Sequence, residues 1–461
     1  MFSKEVYIQR RIKLKENLKE GLVLFLGNTD VPMNYPSNTY QWRQDSNFLY
    51  FFGLDYQDMA AIIDLDNDTE HIYGDDVGLG DIIWMGPQIT TAEKAESCGV
   101  QHHHPYSKLQ ETLASAMSSN RKIHFLPPYR AENKILLDQL LGVKPADQKQ
   151  RASVELIKAI VELRSIKEEQ EIAELEKGME TAWLMHTTAM KMAKPGIYEQ
   201  EIAGVIEGIA ISAGGKLSFP AILTTRGETL HNHYHGNLMK KGDLMLMDAG
   251  AETSMHYGTD HTRTTPVGGK FSTRQKEIYQ IVLDAQVKAI EAIKPGETNL
   301  NVHLLASKVI ASGLKELGLM KGDINEAVKQ GAHAMFMPHG LGHMMGLDVH
   351  DMEDMGEDYV GYDEKVKRSD IFGTAFLRLG RAYQPGFVLT VEPGCYFIPA
   401  LIDQWREQGK FKDFINYEKV EQYKGFGGIR IEDDVLVTGK GCKIMGKPIP
   451  KTIDEVEAFM Q

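Results

Sequence analysis

The segment Phe336–Asp351, FMPHGLGHMMGLDVHD, carries three histidines, His339, His343 and His350. His339 and His343 are four apart, the ligand spacing of the HExxH zinc helix, but the glutamate of that motif is absent. Imidazoles at this density point to metal binding or acid–base chemistry and raise the question of what else completes a site. Four acids bear on it. Asp248 closes the run LMLMD, Asp260 follows twelve residues later in YGTDHTRT, Glu392 sits in VLTVEPG and Glu432 in GIRIEDDVLV. A carboxylate in an apolar strand is costly unless paired or bound to a cation. An arginine partner or a strand-end cap explains any one of them alone, whereas four in one half-chain beside a histidine cluster favour a shared site. Crowded carboxylates repel, and two divalent cations would cancel their charge. Mostly oxygen ligands with one imidazole favour Mn2+, with Co2+, Fe2+ or Zn2+ as substitutes. Such a centre activates water and polarises a carbonyl, so the implied reaction class is hydrolysis.

These side chains need rigid elements to converge. GDLMLMDAGA and FVLTVEPGCYF read as apolar strands ending in acids. GGIRIEDDVLV alternates, with Ile429 and Ile431 on one face and Arg430 and Glu432 on the other. A hairpin could fold Asp260 back towards Asp248. Two segments, MAKPGIYEQEIAGVIEGIAISAGG and AIKPGETNLNVHLLASKVIASGL, share one layout: a helix stopped by Lys-Pro-Gly, a turn and a second helix. Pro195 and Pro295 lie one hundred residues apart, which suggests a duplicated half. A long helix is predicted from a capping box at SIKE, Ser165–Glu168, towards Met192. Upstream, GLVLFLGN and MAAIIDL read as strands and KLQETLASAM as a helix, an α/β pattern ending at the polar connector GVKPADQKQ. A chain of 461 residues is long for one core, and two domains are expected, 1–158 and 159–461.

Composition narrows the function classes. A net charge of −13 argues against nucleic acid or an anionic membrane as the main partner. Cys98, Cys395 and Cys442 are too scattered for a disulfide framework or a thiolate metal site. The first twenty residues are charged throughout, and no apolar run reaches the length of a membrane span, so a cytoplasmic location is expected.

The order MDAG, DHTRT, HGLGH, VEPG, RIED resembles the pita-bread metallopeptidases, the fold shared by methionine aminopeptidase, aminopeptidase P, prolidase and the metal-free creatinase. The resemblance covers nearly the whole chain. WRQDSNFLYFFGL, from Trp42 to Leu54, is similar to the N-terminal domain of the proline-specific members, and CYFIPALIDQW with GFGGIRIEDD is similar to prolidases. It implies an α+β protein: an N-terminal creatinase-like α/β domain followed by a pita-bread catalytic domain with an internal pseudo-twofold repeat.

Carried over by motif, the metal ligands are Asp248, Asp260, His343, Glu392 and Glu432, with Asp260 and Glu432 bridging two divalent ions. The Asp248–Asp260 interval is one residue longer than in the family, which a bulge or a longer hairpin loop would absorb. His233 and His350 match substrate-contacting positions, His339 matches a further active-site position, and Arg430 would orient a bridging carboxylate. Each of these histidines has the alternative of being an ordinary surface or core residue, and Arg430 that of a plain strand salt bridge. In the implied mechanism Glu392 carries a proton to the departing imide nitrogen, and His350 or His233 stabilises the oxyanion. The Xaa-Pro bond lacks an N–H, so peptidases that grip that hydrogen need a dedicated pocket to cut it, with the trans isomer as expected substrate.

Arg378, in LRLGRAYQPG, matches the arginine with which prolidases hold the free carboxylate of a dipeptide, while Arg381 is less informative. The resemblance therefore implies a homodimeric peptidase acting on proline-containing di- or oligopeptides, with the Xaa-Pro dipeptidase favoured over the Xaa-Pro aminopeptidase. A non-catalytic binding protein or a creatinase-like enzyme is disfavoured by the five retained ligands, and methionine aminopeptidase by the N-terminal domain and Arg378. The polar segment Met352–Phe376 is longer than expected and would form a loop over the site that alters length preference.

Overall fold

LVLFL, residues 22–26, is apolar on both faces, as a strand flanked on both sides requires. This strand, β1 (Leu22–Leu26), pairs antiparallel with β2 (Ala60–Asp64), which pairs with β3 (Thr69–Tyr73). β4 (His102–His104) and β5 (Ile123–His124) add in parallel at the two edges, giving the order β4-β3-β2-β1-β5. The expected helix is α1 (Lys108–Ser118), which buries Leu109, Leu113 and Ala116 on one face. The computed structural model describes residues 1–461 and divides into two compact units: Met1–Arg164 with Glu353–Tyr359, and Ser165–Met352 with Val360–Gln461. No helix is long and apolar enough to cross a membrane.

Two local expectations shift. GVKPADQKQ is no open connector, since Pro145–Arg151 forms a helix with proline in its first turn, where its missing N–H costs nothing. The boundary set after residue 158 falls inside α2 (Val154–Ser165), and the units divide at the end of that helix instead. The long helix, α3 (Glu169–Met192), starts later than the Ser165 box: Glu168 is its cap, and the Glu171 carboxylate accepts the Glu168 N–H. Ser165 instead ends α2 and accepts a hydrogen bond from Arg381.

The second unit is built twice. α3 is followed by α4 (Glu199–Ser212), and α5 (Thr273–Ala292) by α6 (Asn299–Glu316). In each Lys-Pro-Gly turn the glycine takes a left-handed conformation, φ +90° at Gly196 and +85° at Gly296. Each glycine N–H reaches a matching segment next to an isolated bridge, Gly196 to the Met239 carbonyl beside Tyr198↔Leu238 and Gly296 to that of Tyr383 beside Thr298↔Ala382. The first half carries β6 (Ile222–Thr224), β7 (Leu244–Asp248) and β8 (Thr262–Pro266), in the order β8-β7-β6. The second carries β9 (Val388–Val391), β10 (Gly394–Tyr396), β11 (Gly428–Arg430), β12 (Asp433–Val437) and β13 (Cys442–Ile444), with β9-β12-β13 and β10-β11 ladders. β8 meets the second half edge on, where the Glu432 N–H donates to the Thr262 carbonyl and the Thr264 hydroxyl to that of Arg430.

Candidate metal centre and active site

All four acids sit where a ladder breaks or ends. β7 and β8 pair without a register shift from Leu244↔Pro266 to Asp248↔Thr262, so Asp248 is the last rung. Beyond it the hairpin narrows, with the Ala249 N–H donating to the His261 carbonyl, and turns at its tip through His256, φ +69°. The Asp248–Asp260 interval therefore holds no bulge: one register runs from Leu244↔Pro266 to the Glu252↔Gly258 bridge, and the chain turns beyond it. In the other half, Val391↔Asp433 and Gly394↔Arg430 keep one register across an interruption at Pro393, which has no N–H to give. Glu392 and Glu432 therefore fall opposite each other in the gap. Alternation then sends Arg430, Glu432 and Asp434 to the site and Ile431 and Asp433 away from it.

HGLGH is not helical; it bends at His339 and Leu341, and from Leu341 onward it pairs like a strand. It runs beside β9, with Glu392 N–H donating to Leu341, Thr390 N–H to His343 and a bridge between Met344 and Leu389. His339 has both ring nitrogens paired with protein groups, so it shares no ion with His343. The close approach depends on Gly342, where a Cβ would lie 2.0 Å from the Thr390 carbonyl oxygen.

His343 faces the acids with its tautomer set. Its Nδ1–H donates to the Met344 carbonyl at 3.1 Å, leaving the Nε2 lone pair 3.6 Å from Asp260 and 3.7 Å from Glu392. One donor atom from each of Asp260, His343 and Glu432 lies within 4.8 Å of the other two. Asp248 Oδ1, Asp260 Oδ1 and Glu432 Oε1 are buried with no hydrogen-bond partner. Burial, followed by the charges of Glu432 and Asp248, pushes Asp260 well above the usual carboxylate range. Glu432 is raised well above it by burial and by Glu392, and Glu392 is raised by burial against the opposing pull of Arg430. Orphaned, mutually repelling carboxylate oxygens around an imidazole lone pair fit divalent cations. Asp433 makes the contrast: despite burial, Arg263 and Lys451 hold it far below the usual range, and it is a structural anion.

Around these ligands lies a cavity of about 300 Å³ lined by His231, His233, His339, His350, Arg378 and Arg430, with apolar walls from Phe219, Ile222, Leu230 and Phe376. His350 packs edge-on against His343, ring centroids 4.2 Å apart. His233 is held by the Ala221 carbonyl, 3.4 Å from its Nδ1. His339 lines the cavity and is also tied to the protein. Its Nδ1 pairs with the Gly340 carbonyl at 2.7 Å and its Nε2 with the Tyr396 hydroxyl at 2.9 Å, so both nitrogens are committed to protein. Burial, reinforced by Arg430, pulls His339 down to about 3, so it is neutral and positions Tyr396. Arg430 differs in detail from the role expected of it. It pairs directly with Asp248, donates to Tyr396 at 2.9 Å and to Thr262 Oγ1 at 3.0 Å, and reaches Glu432 only through the Thr262 hydroxyl, 2.6 Å from Glu432 Oε2. Tyr396, Thr262 and His231 had no sequence signal of their own, since each reaches the site by cross-strand placement or loop path. Arg381 donates to Ser165 and covers the Phe387 ring, and it is not among the cavity's lining residues. Segment 352–376 does not act as one loop: Glu353–Tyr359 packs with the first unit, and Phe376 lines the cavity.

The loop between His343 and His350 is pinned by a buried ion pair, Lys167 Nζ to Asp351 Oδ2 at 2.7 Å, both side chains 1% exposed. Lys167→Met leaves the Asp351 charge buried without this cation and is expected to destabilise the fold by about 3–5 kcal/mol. Urea unfolding measures it, and a loss under 1 kcal/mol would show that the pair does not hold the loop.

Comparison with known proteins gives consistent matches. Residues 173–439 match the model of metallopeptidase family M24, and residues 7–124 that of the aminopeptidase P N-terminal domain. The chain is 30% identical to the Xaa-Pro aminopeptidase of Escherichia coli (strain K12), over 99% of this chain and 98% of that protein. It is also 30% identical to the Xaa-Pro dipeptidase of Homo sapiens, over 98% of this chain and 91% of that protein. The structure is similar to that of zinc-substituted E. coli aminopeptidase P in complex with product, with a TM-score of 0.82, 29% identity, and 100% and 98% of the two chains covered.

Proposed function

This chain belongs to metallopeptidase family M24, and from that premise we propose that it is an Xaa-Pro dipeptidase, a hydrolase that releases proline from short peptides. The observation that carries the reading is Arg378, whose guanidinium lines the same cavity as Glu392, His343 and His350. A dipeptide brings a free carboxylate to that cation, a charge-assisted contact that an internal peptide bond cannot make. The cavity volume, about 300 Å³, is at the small end of the range of small-molecule sites and supports a short substrate. The second reading, an Xaa-Pro aminopeptidase acting on longer peptides, is favoured by the match to the E. coli enzyme over nearly the full length of both chains.

Two divalent ions held by Asp248, Asp260, His343, Glu392 and Glu432, Mn2+ in this proposal, would supply an activated water and a Lewis acid for the scissile carbonyl. The chain's own residues do the rest. Glu392 faces the cavity with its proton affinity raised by burial, so it can accept a proton there and return it to the leaving nitrogen. His350 and His233 line the cavity and donate to the carbonyl oxygen as charge builds on it. Phe219, Ile222, Leu230 and Phe376 enclose the proline ring and exclude water. A homodimer working in the cytoplasm completes the proposal.

The test compares Ala-Pro, Ala-Pro-Ala and longer peptides for the wild type and Arg378→Ala. The expected result is a preference for Ala-Pro and a fall of about 30-fold or more in its kcat/KM in the variant, with tripeptide cleavage little changed. Tripeptides cut as well as dipeptides, with Arg378→Ala altering neither, would show that the aminopeptidase reading is the right one.

A further inference from the structure

Three imidazoles share one edge of the sheet in the first unit, and the chemistry described above uses none of them. β4 is an edge strand parallel to β3, with His71 beside His102 and Tyr73 beside His104. Alternation therefore places His71, His102 and His104 on one face and His103 on the other. The His71 ring stacks with both neighbours, its centroid 4.9 Å from that of His102 and 5.3 Å from that of His104. His71 Nδ1 and His104 Nε2 are 3.1 Å apart, and His71 Nε2 lies 2.9 Å from Thr69 Oγ1.

The two rings are hydrogen-bonded, and their separation is also one that a bound cation accepts. With metal–nitrogen bonds of about 2.0–2.1 Å, two imidazole nitrogens on one ion sit ~2.9–3.4 Å apart, between square-planar and tetrahedral angles. The Thr69 hydroxyl can accept the Nε2–H of His71, which leaves the Nδ1 lone pair turned towards His104. His104 then needs only to exchange its Nε2–H for the Nδ1–H tautomer for both lone pairs to converge. His102, exposed on the edge strand, can supply a third nitrogen by rotation of its side chain. Burial, then the neighbouring imidazoles, lowers both His71 and His104, which favours the neutral form that ligates metal.

We propose that His71, His102 and His104 form a binding site for a late first-row divalent cation, with Cu2+ held most tightly, separate from the catalytic centre. All-imidazole donors suit Cu2+, Ni2+ and Zn2+ and offer little to Mn2+ or Mg2+, so the two sites differ in selectivity.

The test is equilibrium dialysis of tag-free, Mn2+-loaded full-length protein against Cu2+, with both metals counted by elemental analysis. The expected result is one equivalent of copper taken up with the manganese retained, and nitrogen hyperfine structure in the copper EPR spectrum of a parallel sample whose catalytic centre is loaded with diamagnetic Zn2+. His71→Ala and His104→Ala should each weaken copper binding by more than about tenfold, and Thr69→Val by about tenfold. His102→Ala, at an exposed position, should also weaken it, and His103→Ala on the opposite face should not. Copper that enters only by displacing manganese would overturn the proposal. So would uptake that survives in the His71, His102 and His104 variants alike, or that falls equally in His103→Ala.

Discussion

Glu392→Gln is expected to lower kcat on Ala-Pro by about 10²–10⁴, the range that a positioned proton carrier contributes. The substitution keeps the volume and the Glu392 N–H to Leu341 contact, so the backbone of the HGLGH segment stays paired with β9. What is lost is a carboxylate that faces the cavity and whose proton affinity is raised by burial. The fold should not suffer. The metal-free variant is expected to melt at or slightly above the wild-type temperature, because one of the repelling buried carboxylates is gone. Asp260→Asn separates the two roles of these acids: it too abolishes turnover, but it also removes cation uptake, since Asp260 stands within reach of both His343 and Glu432. Steady-state kinetics with metal analysis and thermal melts measure all three effects. Turnover above a tenth of wild type in Glu392→Gln would remove this residue from the proton path.

Removing the metal should make stability fall as pH rises, and restoring it should reverse the trend. In the metal-free chain Asp260, Glu432 and Asp434 all have pKa values raised well above the usual range, first by burial and then by neighbouring acids, although for Asp434 the Asp260 N–H pulls the other way. Between the unfolded value of about 4 and these raised values, the folded chain binds more protons than the unfolded one. The contribution of these groups is therefore fully present below pH ~4 and is lost as pH rises through the folded pKa values. Bound cations need the ionised carboxylates, so metal affinity rises over the same window. The melting temperatures of Mn2+-loaded and chelator-treated protein should nearly coincide at pH 5 and separate by about 5–10 °C at pH 8 with metal at a hundred times its Kd. A gap that does not widen with pH would mean that the repulsion between these acids is relieved by something other than the cations.

Some of the molecule could be read before any coordinates. The duplicated Lys-Pro-Gly turns were legible because a helix stop needs a residue that tolerates positive φ, and Gly196 and Gly296 both supply it. The strands carrying the acids were legible because apolar runs ending in a carboxylate are rare without a counter-charge. The start of α3 was misplaced because SIKE and EEQE both offer box chemistry, and packing of α2 up to Ser165 decided between them. The boundary at 158 was misplaced for a related reason: the polar connector looked like a linker, yet Pro145–Arg151 folds as a helix.

By itself the sequence determined the chemical inventory: acids too costly to leave buried and uncompensated, one histidine segment to complete them, and an arginine suited to a free carboxylate. The first two need only residue types, spacing and the energy of burying charge, and the arginine's role rests on the resemblance to prolidases. The tertiary structure decided the pairings. It placed Glu392 opposite Glu432 in a gap opened by Pro393, joined Arg430 to Asp248, and committed both nitrogens of His339 to Gly340 and Tyr396. It also showed HGLGH as non-helical backbone beside β9, with His343 turned to the acids. The reason is geometric. Strand register and cross-sheet contact join residues up to 182 positions apart in the chain, and no local pattern encodes which side chains such a fold sets face to face.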